Sequence, residues 1–228
     1  HDSPARLEAA APLLAGVGVR VVGTLPRDGT GGPAPERCLV PLHDAAGRTG
    51  AWCAALPFLR PADLPAVAED EEGADPLVEG VREIYRRAVA AALERADGAA
   101  VVATGHCYAA GGRLSRLSER RILGGNQHAL PATALLPEGV VYAALGHLHL
   151  AQTVDAEGRL RYSGSPLPLS LAEDRYPHQV LRVDLDDGGL AGVEELRVPR
   201  VVPILRRPEA GPGPPHEVLA ELEALRLD

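Results

Sequence analysis

The tetrapeptide Gly146-His147-Leu148-His149 follows an apolar run at residues 140–145 and precedes Tyr162-Ser163-Gly164-Ser165-Pro166. An apolar strand that ends in Gly-His-x-His carries two imidazoles to the carboxyl edge of a sheet, the place where α/β proteins bind their ligands. In an extended backbone, residues two apart share a face, with α-carbons roughly 6 to 7 Å apart. Two histidines so spaced can share one ion, or each can hold one of two metals about 3.5 to 4 Å apart that clamp the oxygens of a phosphodiester. Neutral imidazole serves zinc, iron and nickel, and manganese where carboxylates complete the shell. Spacing alone does not choose among these, and a pair of ordinary strand-end histidines is the competing reading. A third histidine, His106, follows another short apolar run, residues 99–103, just after Gly105, where glycine frees the backbone to turn.

The elements that must position these residues can be read along the chain. Ser3 and Pro4 suit the cap and first turn of a helix whose apolar face is Leu7, Ala10, Leu13 and Leu14, with Gly16 as its stop. A strand is expected over residues 17–22, then a hairpin of 39–42 and 51–55 around Asp44-Ala45-Ala46-Gly47. An acidic loop with Glu69-Asp70-Glu71-Glu72 reads as solvated. Asp75 and Pro76 then cap a long helix with Leu77, Val78, Val81, Ile84, Tyr85, Ala88 and Leu93 on its apolar face. A glycine- and arginine-rich connection fills 111–130. Short strands follow at 160–163, 180–184 and 193–198, the last two joined by Asp186-Asp187-Gly188-Gly189, which indicates antiparallel pairing late in the chain. Residues 201–207 read as a strand, 208–215 as a proline- and glycine-rich linker and 217–227 as a helix.

Composition narrows the class. With 228 residues, 46% of them hydrophobic, the chain can fill one large or two small domains. No apolar run approaches the ~20 residues needed to cross a bilayer and no signal peptide is visible, so a cytoplasmic protein without a membrane partner is expected. A net charge of −8 argues against a free-standing nucleic-acid binder with a basic surface. It leaves room for a nuclease, because bound cations and a local arginine patch can hold phosphates on an acidic protein. Three cysteines without a CxxC pattern imply a reducing compartment, with Cys107 a small buried residue beside His106. His43, His128, His178 and His216 fall outside the motifs and receive no role.

Taken in order, His1-Asp2-Ser3 with Arg6-Leu7, the lone His106, Gly146-His147-Leu148-His149 with Gln152, and Tyr162-Ser163-Gly164-Ser165-Pro166 running on to Glu173 resemble the motifs of the SbcD nuclease family. These are calcineurin-like metallophosphoesterases related to the archaeal and eukaryotic double-strand-break repair nucleases. Leu56-Pro57-Phe58-Leu59-Arg60-Pro61 adds to the resemblance, which runs over the whole chain. It implies an α/β fold, the four-layer αββα sandwich of two mixed sheets, over residues 1–199. Residues 200–228 would begin a small C-terminal α+β capping domain that contacts DNA. Helices alternating with strands early and strands predominating late accord with two packed sheets covered by helices.

Roles carried over by the resemblance are these. His106 and His147 would bind one metal and His149 the other, of two divalent ions, Mn2+ ahead of Mg2+. His1 would face the scissile phosphate as a catalytic residue, with Asp2 orienting its ring, or else Asp2 serves only as helix N-terminal charge. Arg113, Arg116, Arg120 and Arg121, in a segment after His106, are candidate phosphate contacts against a solvated-loop reading, Arg113 and Arg116 ahead of the other two. Ser163 and Ser165 belong to a loop that supports the histidine strand and can touch substrate. The implied activity is metal-dependent hydrolysis of DNA, exonucleolytic on duplex ends and endonucleolytic on single strands or hairpins. The implied partner is an SbcC-like ATPase of the SMC type, in a complex containing a nuclease homodimer. Two other readings compete: a different calcineurin-like phosphoesterase, and a non-catalytic adaptor of the ATPase. The chain opens inside the family's GNHD motif, contains no methionine and lacks the Asp-x-His and Gly-Asp motifs. It is therefore expected to be a piece of a longer gene product that alone binds at most one ion weakly and cleaves no DNA.

Overall fold

The computed structural model of the chain describes residues 3–66, 75–114, 129–208 and 211–225. His1, Asp2 and Arg116 lie outside the described residues, as do the acidic run 69–72, Arg120, Arg121 and His128. Two compact units are present, residues 1–198 and 199–228.

The first unit opens with α1 (Pro4–Ala9) and α2 (Ala11–Ala15), where one continuous helix was expected. Pro12 has no N–H to return to the preceding turn, so the helix restarts with proline in its first turn. Neither helix buries a residue, and Leu13 is 82% exposed. The strand expected at 17–22 does not form. Gly18 turns the chain at φ 78° and the Val19 N–H bonds back to the Leu14 carbonyl, a helix-closing turn that uses backbone a strand would need.

β1 (Leu39–His43) and β2 (Thr49–Ala55) form the expected hairpin. Its turn is an aspartate device: Asp44 Oδ1 accepts from the N–H groups of Ala46 and Arg48, and Gly47 takes φ 80°. α3 (Pro76–Ala96) starts where Asp75 accepts from the Leu77 N–H, and it buries Val81, Ile84, Tyr85, Ala88, Val89 and Ala92. β3 (Ala100–His106), α4 (Ala132–Leu135), β4 (Val140–Gly146), β5 (Gln152–Thr153) and β6 (Leu160–Tyr162) follow. The six strands form one mixed sheet in the order β1-β2-β3-β4-β6-β5. β2, β3, β4 and β6 run parallel, and antiparallel pairs lie at both edges.

Hydrophobic burial holds α3 to one face, where Ile84, Tyr85 and Ala88 join a core with Val101, Ala103, Ala143 and Leu145. On the other face β7 (Gln179–Asp186) and β8 (Gly189–Arg197) form a separate antiparallel hairpin through an Asp187-Gly188 turn, with φ 47° and 72°. Val183, Leu185, Leu190 and Val193 of that hairpin pack on Cys53, Val102 and Tyr142. The first unit is thus a helix, a mixed sheet and a small second sheet in succession.

In the second unit, residues 201–207 form no strand among the described residues; Pro203 removes a ladder donor from the middle of the segment. The Arg207–Pro208 bond is cis, and α5 (Pro215–Glu223) is shorter than the expected 217–227 and buries none of its residues. No helix of the described residues is long and apolar enough to cross a membrane.

Candidate metal centre

Parallel pairing of β3 with β4 sets His106 opposite Gly146, so the two strands end side by side. That register brings the rings of His106 and His147 together, with centroids 5.5 Å apart and planes at 66°. Phe58, from the Leu-Pro-Phe-Leu-Arg segment, meets His106 edge-on at 6.2 Å. Beside His106 a cavity of about 500 Å³ opens, lined also by Phe58, Arg60, Thr104 and Gly146.

Two glycines make this close approach possible. A Cβ on Gly105 would lie 1.8 Å from the Tyr85 hydroxyl, which reaches over from α3 and donates to the Thr104 carbonyl at 3.4 Å. A Cβ on Gly146 would come within 3.0 Å of His106 Nδ1. The backbone after His106 is pinned by Tyr162 of β6, whose hydroxyl donates to the Cys107 carbonyl at 2.7 Å and accepts from the Ala109 N–H at 2.9 Å.

The Gly-His-x-His segment itself is not extended, contrary to the sequence expectation. β4 ends at Gly146, and His147 takes φ 107°, a conformation rare for any residue with a side chain. The bend sends Leu148 into the core at 3% exposure and leaves His147 and His149 partly exposed on either side of it. A buried leucine between the two histidines is the anchor that the bend requires.

His149 has a mount of its own. Its Nδ1 lies 2.7 Å from Oε1 of Glu173, within hydrogen-bond distance, and Glu173 is fully buried. Glu173 Oε2 accepts from the Leu169 N–H at 2.9 Å and from the Ser165 hydroxyl at 3.3 Å. The Ser165 N–H in turn donates to the His149 carbonyl at 2.9 Å. Gly164, at φ 78°, has no room for a Cβ, which would fall 2.7 Å from both Ala151 N and His149 O. Buried His178 faces the carbonyls of Ser165 and Glu173 with its two ring nitrogens, at 3.0 and 3.3 Å.

A second clamp joins the loop after His106 to the loop after His149. The Gln152 side chain accepts from the Arg113 N–H at 2.7 Å and donates to the Arg113 carbonyl at 3.1 Å. Arg113 is thereby tied to the histidine edge through its backbone.

Electrostatics favour neutral, ligand-ready imidazoles. Burial, with the neighbouring His147 charge next in weight, pushes His106 down to about 4, and burial likewise lowers His147. The Cys107 thiol is pushed up to about 12 by burial, which leaves it an inert packing residue. Among the described residues no three histidine, cysteine or acidic side chains converge closely enough to hold one ion. His106 and His147 come together, and His149 sits on the same loop facing its own carboxylate. The donor set is imidazole only, so a two-ion centre also needs carboxylates from outside the described residues.

Ser163 is partly buried, with its hydroxyl on the Gly164 carbonyl, while Ser165 is buried against Glu173. Glu173 is a residue of this arrangement whose part sequence reasoning did not find, and so are His178 and Tyr162. Glu173 closes the Tyr-Ser-Gly-Ser-Pro segment, but an acidic residue there carries no sign that it is buried.

No family model matches the chain. Along its whole length it is 44% identical, over 231 residues, to the SbcD subunit of the SbcCD nuclease from Rhodobacter capsulatus, of which it covers 55%. The SbcD subunits of the same nuclease from Escherichia coli K12 and Bacillus subtilis are 32% and 34% identical over 90% of the chain, which covers 49% and 50% of them. The chain spans about half the length of the curated relatives it matches.

Proposed function

We propose that this chain, which belongs to the SbcD family along the part of those proteins that it spans, supplies one side of a metal centre that hydrolyses DNA phosphodiester bonds. The observation that carries the proposal is the meeting of His106 and His147 at the parallel ends of β3 and β4, with His149 fixed by a buried carboxylate one residue beyond Leu148. Three imidazoles at a sheet's carboxyl edge suit divalent metal, and the relatives' name as nuclease subunits supports the reading of the substrate as DNA.

On this reading His106 and His147 hold one ion and His149 the other, Mn2+ being the first choice and Mg2+ the second. Such ions, when bound, activate water and stabilise the charge of an in-line displacement at phosphorus. The chain's own residues orient and exclude. Leu148 and Tyr162 lock the loops that carry the imidazoles, and Phe58 walls one side of His106. Arg113 and Arg116, with Ser163 and Ser165, are the proposed contacts to the phosphate backbone. Ser165 would have to release Glu173 to reach a substrate, so Arg113 and Ser163 carry more of this part. His1, oriented by Asp2, would stabilise or protonate the leaving oxygen.

We further propose that residues 1–199 belong to a four-layer αββα sandwich and that 200–228 begin a capping domain. The nuclease would act on duplex ends as an exonuclease and on single strands or hairpins as an endonuclease, in the cytoplasm, with an SbcC-like ATPase as partner and a nuclease homodimer in the complex. The test is cleavage of labelled hairpin DNA in Mn2+ by the complete protein that carries this chain. His147→Ala should lower the rate at least about 100-fold. His1→Ala should lower turnover with metal occupancy kept. Unchanged Mn2+-dependent cleavage after His147→Ala would overturn the metal assignment.

A further inference from the structure

We propose that Glu173 is the positioning residue of His149, holding its ring in the tautomer that carries the proton on Nδ1 and the lone pair on Nε2. The inference rests on the reading of His149 as a ligand and adds the group that prepares it.

A buried carboxylate is a costly way to fill space, since its charge must be met by hydrogen bonds once water is removed. Glu173 meets that demand in an asymmetric way. Oε2 takes two donors from its own loop, the Leu169 N–H and the Ser165 hydroxyl, whereas Oε1 takes the ring of His149. The same loop also grips the His149 backbone, through the Ser165 N–H on its carbonyl. Ring and main chain of one histidine are therefore held by a single loop, and the buried His178 spans that loop from the Ser165 carbonyl to the Glu173 carbonyl. A glutamate whose task was only to close the loop would need its Oε2 contacts alone. The contact through Oε1 decides which ring nitrogen bears the proton, and this fixes which one can face a cation.

The arrangement makes a specific prediction for Glu173→Gln. The Leu169 N–H can only donate, so the amide oxygen must take the Oε2 position. The amide NH2 then faces His149 Nδ1, which must accept, and the ring proton moves to Nε2. The change is isosteric but inverts the tautomer.

The test has two arms. The first reads the 13Cδ2 and ring 15N shifts of His149 in the full chain with chelator present and no metal. Wild type should show the Nδ1–H form and Glu173→Gln the Nε2–H form, with far-ultraviolet circular dichroism unchanged. The second titrates Mn2+ calorimetrically into the complete protein. Glu173→Gln should weaken binding about 10- to 100-fold, as loss of an outer partner does, with Glu173→Asp closer to wild type. A wild-type His149 in the Nε2–H form would overturn the proposal with no variant needed, even if Glu173→Gln fails to fold. So would a folded Glu173→Gln protein that keeps both the Nδ1–H tautomer and wild-type affinity. Absence of Mn2+ binding in wild type with the tautomer as stated would instead defeat the metal reading of the site and leave the role of Glu173 in orienting the ring intact.

Discussion

His147 and His149 are two residues apart, yet the chain holds them by different means. His147 is placed by its backbone: β4 stops at Gly146, φ swings to 107°, and the ring comes to rest against His106. His149 is placed through its side chain by the buried carboxylate of Glu173 and the loop behind it. The first arrangement stores strain, of the order of 1–3 kcal/mol for a residue held in a sparsely populated conformation. The second desolvates a charge and offsets that cost with hydrogen bonds. Both costs fall at the point where two metal ligands would be needed, and each is supported from elsewhere, the bend by buried Leu148 and the carboxylate by the Leu169 N–H, the Ser165 hydroxyl and the loop that His178 spans.

The largest effect should come from the glycines beneath the two histidines. Gly164 meets backbone atoms of the histidine loop, which cannot step aside, and has a positive φ besides. Gly164→Ala should therefore cost about 3–4 kcal/mol, combining overpacking with a left-handed alanine. Gly146 is crowded by the His106 ring, at 3.0 Å from Nδ1, and meets backbone only at an ordinary 3.8 Å from the Gly105 carbonyl. Gly146→Ala should cost about 1 kcal/mol and displace His106. Urea unfolding midpoints measure both, and equal costs would show that the two halves are not mounted differently.

Next in size is the contrast between the histidines themselves. His149→Ala removes a charged hydrogen bond from the buried Glu173 and should destabilise the metal-free protein by about 2–3 kcal/mol. His147→Gly relieves the strained φ, and the gain roughly offsets the conformational freedom glycine adds to the unfolded chain, so stability should stay within about 1 kcal/mol of wild type. Chemical denaturation in chelator separates the two. A His147→Gly protein as unstable as His149→Ala would mean that the bend is held by the ring and not by Leu148.

Much of this frame was legible because local chemistry wrote it. Asp44 with Gly47 and Asp187 with Gly188 are turn devices whose geometry follows from the residues themselves, and the apolar runs leading to His106 and His147 became adjacent parallel strands. Residues 17–22 and 201–207 misled because a strand is a partnership. Val19 bonded back to α2, and Pro203 had no donor to give. The bend at His147 left no mark, since positive φ is ordinarily announced by glycine or asparagine and here falls on a histidine anchored by the next residue. Glu173 was hidden for a related reason. An acidic residue after Pro-Leu-Ser-Leu reads as solvent-facing, and only the fold reveals three donors converging on it.

The smallest effect separates the two halves by pH. Burial and the nearby His147 hold the folded-state pKa of His106 at about 4, against an ordinary value of 6.5. The unfolded chain therefore takes up a proton on this residue before the folded chain does, so stability attached to His106 is fully present above pH 6.5 and is lost as pH falls toward 4. One group can contribute a slope no steeper than about 1.4 kcal/mol per pH unit, and partial exposure to solvent should make it shallower. His147 shifts in the same direction and adds to the loss. In metal-free protein, His106→Asn should flatten the decline between pH 6.5 and 4 while leaving stability above pH 7 nearly unchanged. An unaltered slope in that variant would mean that protonation elsewhere in the chain sets its acid sensitivity, and that the His106–His147 contact opens before either ring takes a proton.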